Sequence, residues 1–377
     1  MVITSVLARG QTVARSGLST AVEKPLETVL AVVGLLIAGD FVVALLVTGG
    51  LGFAEVGQLA KNGLMRGLVI GLAGVGLSMT YSILNFANFS HGDYITFGAF
   101  AGWGVTYLVA GFGEADWTNL LLVGAGGGVY GAQLGISITG TPLAVVVGLV
   151  LAGATTAGLA LLVDRGIYKS MRDAGGIPLL ITSVGVAFAL RYVIALSYNQ
   201  SVRGTTSTDI PTYQLPAIDG TIGVNAHDLV VLASAVALML GVHFLLQRTK
   251  LGKAMRAMAD NEDLALVTGI PTERVVTWTW VVGGALTGVS GFLLVLWRET
   301  INFRIGWVLL LLVFSAVILG GIGSIYGAIF GGVIIGLTLE LSQIWIPTDF
   351  ARASAFALMI VILLVRPKGL FAGRSTA

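Results

Sequence analysis

Cysteine is absent from this sequence, and histidine is scarce, with only His91, His227 and His243 along the whole chain. The absence of cysteine excludes disulfide frameworks, thiol catalysis and cysteine-based metal sites. The three histidines are far apart and do not show the spacing of metal ligands. We therefore expect no metal site and no catalytic residues in this chain.

Charged residues are also few, at 11% of 377 residues, whereas a soluble globular chain carries about 25%. Hydrophobic residues make up 56% of the chain, and its mean hydropathy is +0.93. A surface that faces the lipid bilayer needs little charge, and the 53 glycines are typical of helices that pack closely in membranes. The composition predicts an integral membrane protein, and the net charge of +2 is too small to indicate a nucleic-acid partner.

Apolar stretches close to the ~20 residues that cross a bilayer recur along the chain. They lie at about 26–52, 64–84, 93–112, 142–163, 178–197, 227–246, 274–297, 305–320, 326–343 and 352–365. We predict an all-α polytopic bundle of about ten transmembrane helices, forming a single membrane domain over 1–377. The glycine-rich segment 118–140 is interpreted as a re-entrant or surface element.

The basic residues are distributed unevenly between the two sides of this predicted bundle. Fourteen of the lysines and arginines lie in the first 25 residues, in 164–177, in 248–274 and at the C-terminus, whereas the connections on the other side hold six. Cytoplasmic loops carry the excess of positive charge in membrane proteins. Both termini are therefore predicted to be cytoplasmic.

This orientation gives each remaining segment a place. Residues 1–25 form a cytoplasmic tail, and 26–52 form an extra N-terminal helix that is too long for a signal peptide. The polar stretch 198–226 becomes the main outer loop, and 248–273 becomes the main cytoplasmic loop.

The densest group of polar residues lies between the second and third apolar stretches. Its members are Asn85, Asn88, Ser90, His91, Gly92 and Asp93. Polar groups within a membrane are costly and usually face a cavity or a partner. One interpretation is a broken helix whose exposed amide groups attract an anionic part of a substrate. The other is an ordinary interfacial turn, in which Asn and Ser cap the next helix.

Two charged residues lie well inside predicted spans, away from the span ends. Asp40 is a lone acid in the first helix, where it either pairs with another span or faces the bundle. Arg191 is interpreted as a structural or snorkelling residue rather than as a ligand.

The loop 248–273 has the punctuation of two short helices. Residues from Leu251 to Ala259 favour a helix, and Asn261 is placed to cap a second one, whose first turn contains acidic Glu262. Gly269 is expected to end this helix, and Pro271 blocks its continuation. Two such helices would form a compact docking element; the alternative is a solvated cytoplasmic loop, which would not need as much helix punctuation.

Several of these stretches carry a resemblance to a known family. From about Gln58 to Phe371 the sequence resembles ABC-transporter permeases of the branched-chain amino-acid (LIV) type. The motifs that carry the resemblance are Leu84-Asn85-Phe86-Ala87 with His91-Gly92-Asp93, Gly252-Lys253-Ala254-Met255-Arg256-Ala257 through Thr268-Gly269-Ile270, Gly320-Gly321-Ile322-Gly323-Ser324, and Arg366-Pro367-Lys368-Gly369-Leu370-Phe371.

The resemblance implies an importer subunit of the cell membrane with a permease core over 58–371. It implies a second, similar permease subunit, two ATPase subunits that consume the ATP, and an extracellular solute-binding protein; the chain itself needs no cofactor. The substrates implied are branched-chain amino acids or related small polar solutes such as amides or urea.

The resemblance also assigns roles to the two groups of residues. The polar group from Asn85 to Asp93 would line the translocation path. The loop would couple to the ATPases through Gly252, Lys253, Ala254, Arg256, Ala257, Asn261, Glu262 and Gly269.

Two other classes of protein remain as alternatives. An ion-coupled secondary transporter or channel should have paired acids within the membrane, and Asp40 with Asp93 is the only candidate pair. A membrane-embedded enzyme should have histidine with acids at helical spacing, and the sequence offers only His91 with Asp93.

Overall fold

The computed structural model describes residues 25–112, 136–206 and 210–371. These residues form twelve α helices and four short strands. The helices are α1 Pro25–Leu46, α2 Phe53–Leu84, α3 His91–Ala110, α4 Pro142–Val163, α5 Gly176–Tyr198, α6 Ala226–Arg248, α7 Lys250–Asp260, α8 Glu262–Val267, α9 Thr272–Arg298, α10 Ile305–Gly320, α11 Ile325–Leu341 and α12 Ala351–Val365. The strands are β1 Arg203–Gly204, β2 Thr212–Ala217, β3 Gly220–Asn225 and β4 Thr300–Ile301.

The long helices confirm a helical membrane protein. Among the described residues, eight helical segments have the length and apolar composition needed to cross a membrane, and α10 is a shorter apolar helix of 16 residues. Each of the ten predicted spans corresponds to one long helix. The described residues thus contain ten helices of 15 residues or more. Eight of these helices belong to the segments that are long and apolar enough to cross a membrane, and α3 and α10 do not.

The contacts divide the chain into two compact units. The first contains the described residues up to Gly57 together with Pro216–Ile222, and the second contains the described residues of 58–215 and 223–371.

Within the first unit, helix α1 is shorter than the predicted span 26–52. It ends at Leu46, and Gly49 follows with a φ of +62°, a left-handed conformation that glycine adopts without steric cost. The N-terminus of α2 is capped by a residue that is distant in sequence. The Asp219 carboxylate accepts hydrogen bonds from the amides of Phe53 and Ala54 at 2.6 and 2.8 Å.

Helix α2 begins eleven residues before the predicted start at 64. Hydropathy missed these turns because they carry polar residues. In the second unit the structure pairs two of them, since the Gln58 side chain accepts a hydrogen bond from the amide of Gly223 at 3.0 Å and Lys61 lies 2.9 Å from Asp228.

The bundle of the second unit is held together by close approaches between small residues. Helices α3, α4 and α9 pack against one another, and α10 packs against α11. A Cβ atom at Gly291 of α9 would lie 2.0 Å from the carbonyl oxygen of Ile95 of α3, so only glycine allows the two backbones to come this close. The same holds for Gly331 of α11 against Ala316 of α10, at 2.1 Å.

The polar stretch between α5 and α6 extends from the end of α5 at Tyr198 to the start of α6 at Ala226. Its polar composition gave no indication of strands, yet β2 and β3 form a two-stranded sheet and β1 pairs with β4 in antiparallel register. The predicted tail 1–25 and the segment 118–140 fall mostly on 1–24 and 113–135, which lie outside the described residues.

Candidate functional site

The polar group between α2 and α3 forms a turn that runs back into the bundle. Helix α2 ends at Leu84, and Asn85 follows with a φ of +53°. The first residue of α3, His91, places its Nε2 atom 2.9 Å from the carbonyl oxygen of Ala73. Ala73 precedes the end of α2 by three turns, about 16 Å along the axis. Helix α3 therefore begins deep within the bundle, which favours the broken helix over a turn at the end of the helices.

Non-helical backbone at this depth is tolerated only where it is buried in protein and its polar groups find partners. The Asn88 side chain accepts hydrogen bonds from the amide and the hydroxyl of Ser90, at 3.0 and 2.6 Å. The amide of Phe89 donates to the hydroxyl of Ser183 on α5 at 2.9 Å. The hydroxyl of Tyr168 lies 2.9 Å from that of Ser90. The turn is thus closed by side chains of this chain.

The side-chain cap that one interpretation of the sequence predicted for α3 does not form. Ser90 occupies the cap position, but its side chain makes no capping hydrogen bond to the helix. Its hydroxyl instead donates to Asn88, which stabilises the turn that precedes the helix.

Asp93, in the first turn of α3, forms a buried ion pair with Arg191 of α5. The carboxylate oxygens lie 3.1 Å from Nε and 2.8 Å from Nη2 of Arg191. The guanidinium also lies over the rings of Trp307 and Phe188, 4.2 and 5.1 Å from their centres. The side chain of Arg191 is 8% exposed, so it acts as a structural partner and does not snorkel. The sequence could not show this pair, because its members are 98 residues apart.

The structure divides the predicted path residues into two groups. Asn88, Ser90, His91 and Asp93 are buried, and Gly92 packs against Gly306 and Leu310 of α10. Asn85 alone is exposed. It opens into a cavity of about 360 Å³.

This cavity connects the two regions that the sequence singled out. The break contributes Asn85, and helix α7 of the predicted coupling loop contributes Met255, Arg256 and Asp260. Ser324, which follows the Gly320–Gly323 stretch, lines the wall formed by α11. Three segments far apart in sequence therefore border one space.

The two short helices predicted for the loop are present as α7 and α8. The Asn261 side chain caps α8 by accepting a hydrogen bond from the amide of Leu264 at 2.8 Å. Gly269 follows the helix with a φ of +83°, and the amide of Ile270 donates to the carbonyl of Ala265 at 3.0 Å. This is the C-terminal motif expected of a helix that ends at glycine.

A cap that the sequence reading missed holds α7 in place. Thr249 accepts a hydrogen bond from the amide of Gly252 at 2.9 Å, and a threonine three residues before a helical glycine was the available signal. A Cβ atom at Gly252 would lie 2.3 Å from the carbonyl oxygen of Leu245. Helix α7 is therefore packed directly on the backbone of α6.

The surface of the loop combines apolar and charged side chains. Leu264 and Val267 are 60% and 85% exposed, and Leu266 lies with them on α8. Of the predicted coupling residues, Lys253, Asn261, Glu262 and Gly269 are exposed, Ala254, Arg256 and Ala257 are half-buried, and Gly252 is buried. Exposed apolar side chains on a rigid helix pair are typical of a surface that binds another protein.

The described parts of the chain contain no group of three or more His, Cys, Asp or Glu side chains that could hold a metal ion.

Comparison with known proteins supports the resemblance. The sequence profile described as "Branched-chain amino acid transport system / permease component" matches residues 59–363. The chain is 28% identical over 320 residues to the high-affinity branched-chain amino acid transport system permease protein LivH of Salmonella typhimurium, covering 83% of this chain and 94% of that protein. It is 26% identical over 321 residues to the corresponding protein BraD of Pseudomonas aeruginosa, with the same coverage. No solved structure was found to match the chain.

Proposed function

Because the chain belongs to the family of branched-chain amino acid transport permease components and is a multi-pass protein of the cell membrane, we propose that it is the permease subunit of an ATP-driven importer. Its substrate would be a branched-chain amino acid or a related small polar solute such as an amide or urea. Separate ATPase subunits would supply the energy, a second similar permease would complete the channel, and an extracellular binding protein would deliver the solute.

The observation that carries this proposal is the geometry of the α7–α8 loop. Tight packing of Gly252 on α6 and the caps at Thr249 and Asn261 make the loop a rigid extension of the bundle. Because α8 exposes Leu264 and Val267, a partner that binds there can transmit its movement to α6 and α9, the helices that flank the loop.

An experiment on assembly tests this role of the loop. We expect Val267→Asp to release the ATPase subunits, because a charge at the centre of an apolar contact is left without a partner. Copurification of the ATPases with the tagged permease measures the effect. Val202→Asp is the matched control, since Val202 is 67% exposed and lies at the opposite end of the helices. Full retention of the ATPases by Val267→Asp would contradict the proposal.

For the translocation path we propose a division of roles. Asn85 borders the path where the cavity opens, and Asn88, Ser90, His91, Gly92 and Asp93 hold the break in its shape. Burial and the internal partners of the latter group support this assignment.

Uptake of radiolabelled solute by Asn85 variants tests the path. Asn85→Gly removes the amide but accepts the positive φ, so we expect reduced uptake with normal assembly. Asn85→Ala adds backbone strain to the same loss. Unchanged uptake in both variants would remove Asn85 from the path, whereas a loss confined to Asn85→Ala would indicate a backbone role.

The Asp93–Arg191 pair speaks against the ion-coupled alternative. A coupling acid must take up and release its ion, whereas both carboxylate oxygens of Asp93 are bound to Arg191.

A substrate-binding screen of the extracellular receptor that pairs with this permease would identify the solute.

A further inference from the structure

The cavity between the break and the coupling loop has a composition that differs from that of the surrounding bundle. Helix α7 contributes Arg256 and Asp260, and the end of α2 contributes Ser82, followed by Asn85. All the lining residues belong to the second compact unit. The cavity therefore brings a cation, an anion and neutral hydrogen-bonding groups to one space.

Arg256 and Asp260 are four residues apart on one helix, so they lie on the same face. Within the described ranges, neither side chain takes part in an ion pair, and Arg256 donates a hydrogen bond to the amide oxygen of Gln247 at 3.0 Å. A guanidinium binds a carboxylate through two parallel hydrogen bonds. A carboxylate binds the ammonium group of a ligand as it binds the ammonium group of a lysine side chain. Adjacent charges of opposite sign that are not in ion pairs are complementary to a zwitterion.

The remaining wall of the cavity is mostly apolar. Its larger apolar side chains are Met79, Ile83, Leu246, Met255, Ile322, Ile325 and Phe371, and Tyr81, Thr279 and Ser324 add hydroxyl groups. The volume of about 360 Å³ falls at the small end of ligand-binding cavities. It suits a compact molecule with one charged end and one aliphatic end.

We propose that this cavity binds a free α-amino acid with an apolar side chain, with Arg256 holding the carboxylate and Asp260 the ammonium group. The identification of the amino acid as a transported solute rests on the proposed function. Because the ligand contacts both α7 and the end of α2, its presence opposes any movement of the coupling helix relative to the bundle. Accumulated product therefore slows the ATP-driven cycle.

Equilibrium binding to the purified, nucleotide-free transporter tests the site. The probes are leucine, leucinamide, which lacks the carboxylate, and 4-methylpentanoate, which lacks the ammonium group. We expect both analogues to bind about tenfold more weakly than leucine, as the loss of one charge-assisted contact predicts.

Variants assign each end of the ligand to its partner. Arg256→Gln should weaken leucine about tenfold and leave leucinamide unchanged, and Asp260→Asn should weaken leucine and leave 4-methylpentanoate unchanged. Arg248→Gln and Asp263→Asn are the controls, because both side chains are exposed nearby and lie outside the cavity. Both controls should bind leucine like the wild type.

A filling substitution covers the case in which a charge variant disturbs the loop. Ala259 lines the cavity and is exposed, so Ala259→Phe can occupy the space without a core rearrangement. We expect it to abolish leucine binding at this site. Unchanged leucine affinity in Arg256→Gln, Asp260→Asn and Ala259→Phe would overturn the proposal.

The regulatory consequence has its own measurement. In proteoliposomes with the ATPase subunits outside, external leucine should slow ATP hydrolysis by the wild type and have less effect on Ala259→Phe. If leucine is imported but neither binding nor ATP hydrolysis depends on the cavity, this site is wrong and the proposed function stands. If leucine binds in the cavity and no amino acid is imported, the proposed function is wrong and the site stands.

Discussion

Asp93 and Arg191 illustrate how a single contact can decide the role of a predicted site residue. A buried ion pair costs solvation free energy to form, but removal of one partner leaves the other charge buried without compensation. We expect Arg191→Met to lower the free energy of unfolding by about 3–5 kcal/mol. Thermal unfolding in detergent measures it.

The double variant provides the control for this prediction. Asp93→Asn combined with Arg191→Met removes both charges, so its stability should exceed that of Arg191→Met alone. Lys169→Met is a second control, because Lys169 and Glu273 form a pair that is more than half exposed, and such pairs contribute about 0–1 kcal/mol. A double variant less stable than Arg191→Met would contradict the ion-pair account.

Gly252 permits a second prediction about one residue. The Cβ atom of Gly252→Ala would meet the backbone of α6 at Leu245 and Leu246, which cannot rotate away. We expect a loss of about 1–3 kcal/mol in stability and weaker retention of the ATPase subunits. Gly241→Ala on α6 is the matched control, because nothing lies within 4 Å of its Cβ position, and it should be neutral or slightly stabilising.

At the scale of helices, the crossing of α4 and α9 depends on a glycine that lets the two helices approach closely. The Cβ position at Gly288 lies 2.3 Å from Thr156 Oγ1 and 2.4 Å from the carbonyl oxygen of Ala152. Gly288→Val should therefore separate α9 from α4 and greatly reduce the monodisperse fraction in size-exclusion chromatography. Gly185→Val on α5 has open space at its Cβ position and should leave that fraction unchanged.

The helices were predictable where hydropathy alone determines them. Bilayer-length apolar runs located the ten long helices, and local signals at Asn261 and Gly269 located the ends of α8. Hydropathy failed at the start of α2, because Lys61 is polar in sequence but paired with Asp228 in the fold.

The candidate site was predictable in position but not in geometry. Polarity within an apolar region singled out Asn85 to Asp93, but it could not show which of these side chains face inward. The direction of these side chains depends on Ser183 and Arg191, which are partners on α5 about a hundred residues away in sequence. The cavity depends on three distant segments and has no local signature.

For the molecule as a whole, the orientation in the membrane is open to a direct test. Since the sequence has no cysteine, a single introduced cysteine is the only thiol available for labelling. We expect Asp263→Cys to react with a membrane-impermeant maleimide only from the cytoplasmic side. Val202→Cys should react only from the outside, and the reverse pattern would invert the proposed topology.

The distance in sequence between Asp93 and Arg191 has a consequence for biogenesis. A ribosome that adds about 5–20 residues per second needs about 5–20 s to synthesise the 98 residues that separate them. During that interval Asp93 enters the insertion machinery without its arginine. We therefore expect helix α3 to reach its final place in the bundle only after α5 has been synthesised, so the integration of one helix depends on the synthesis of a later one.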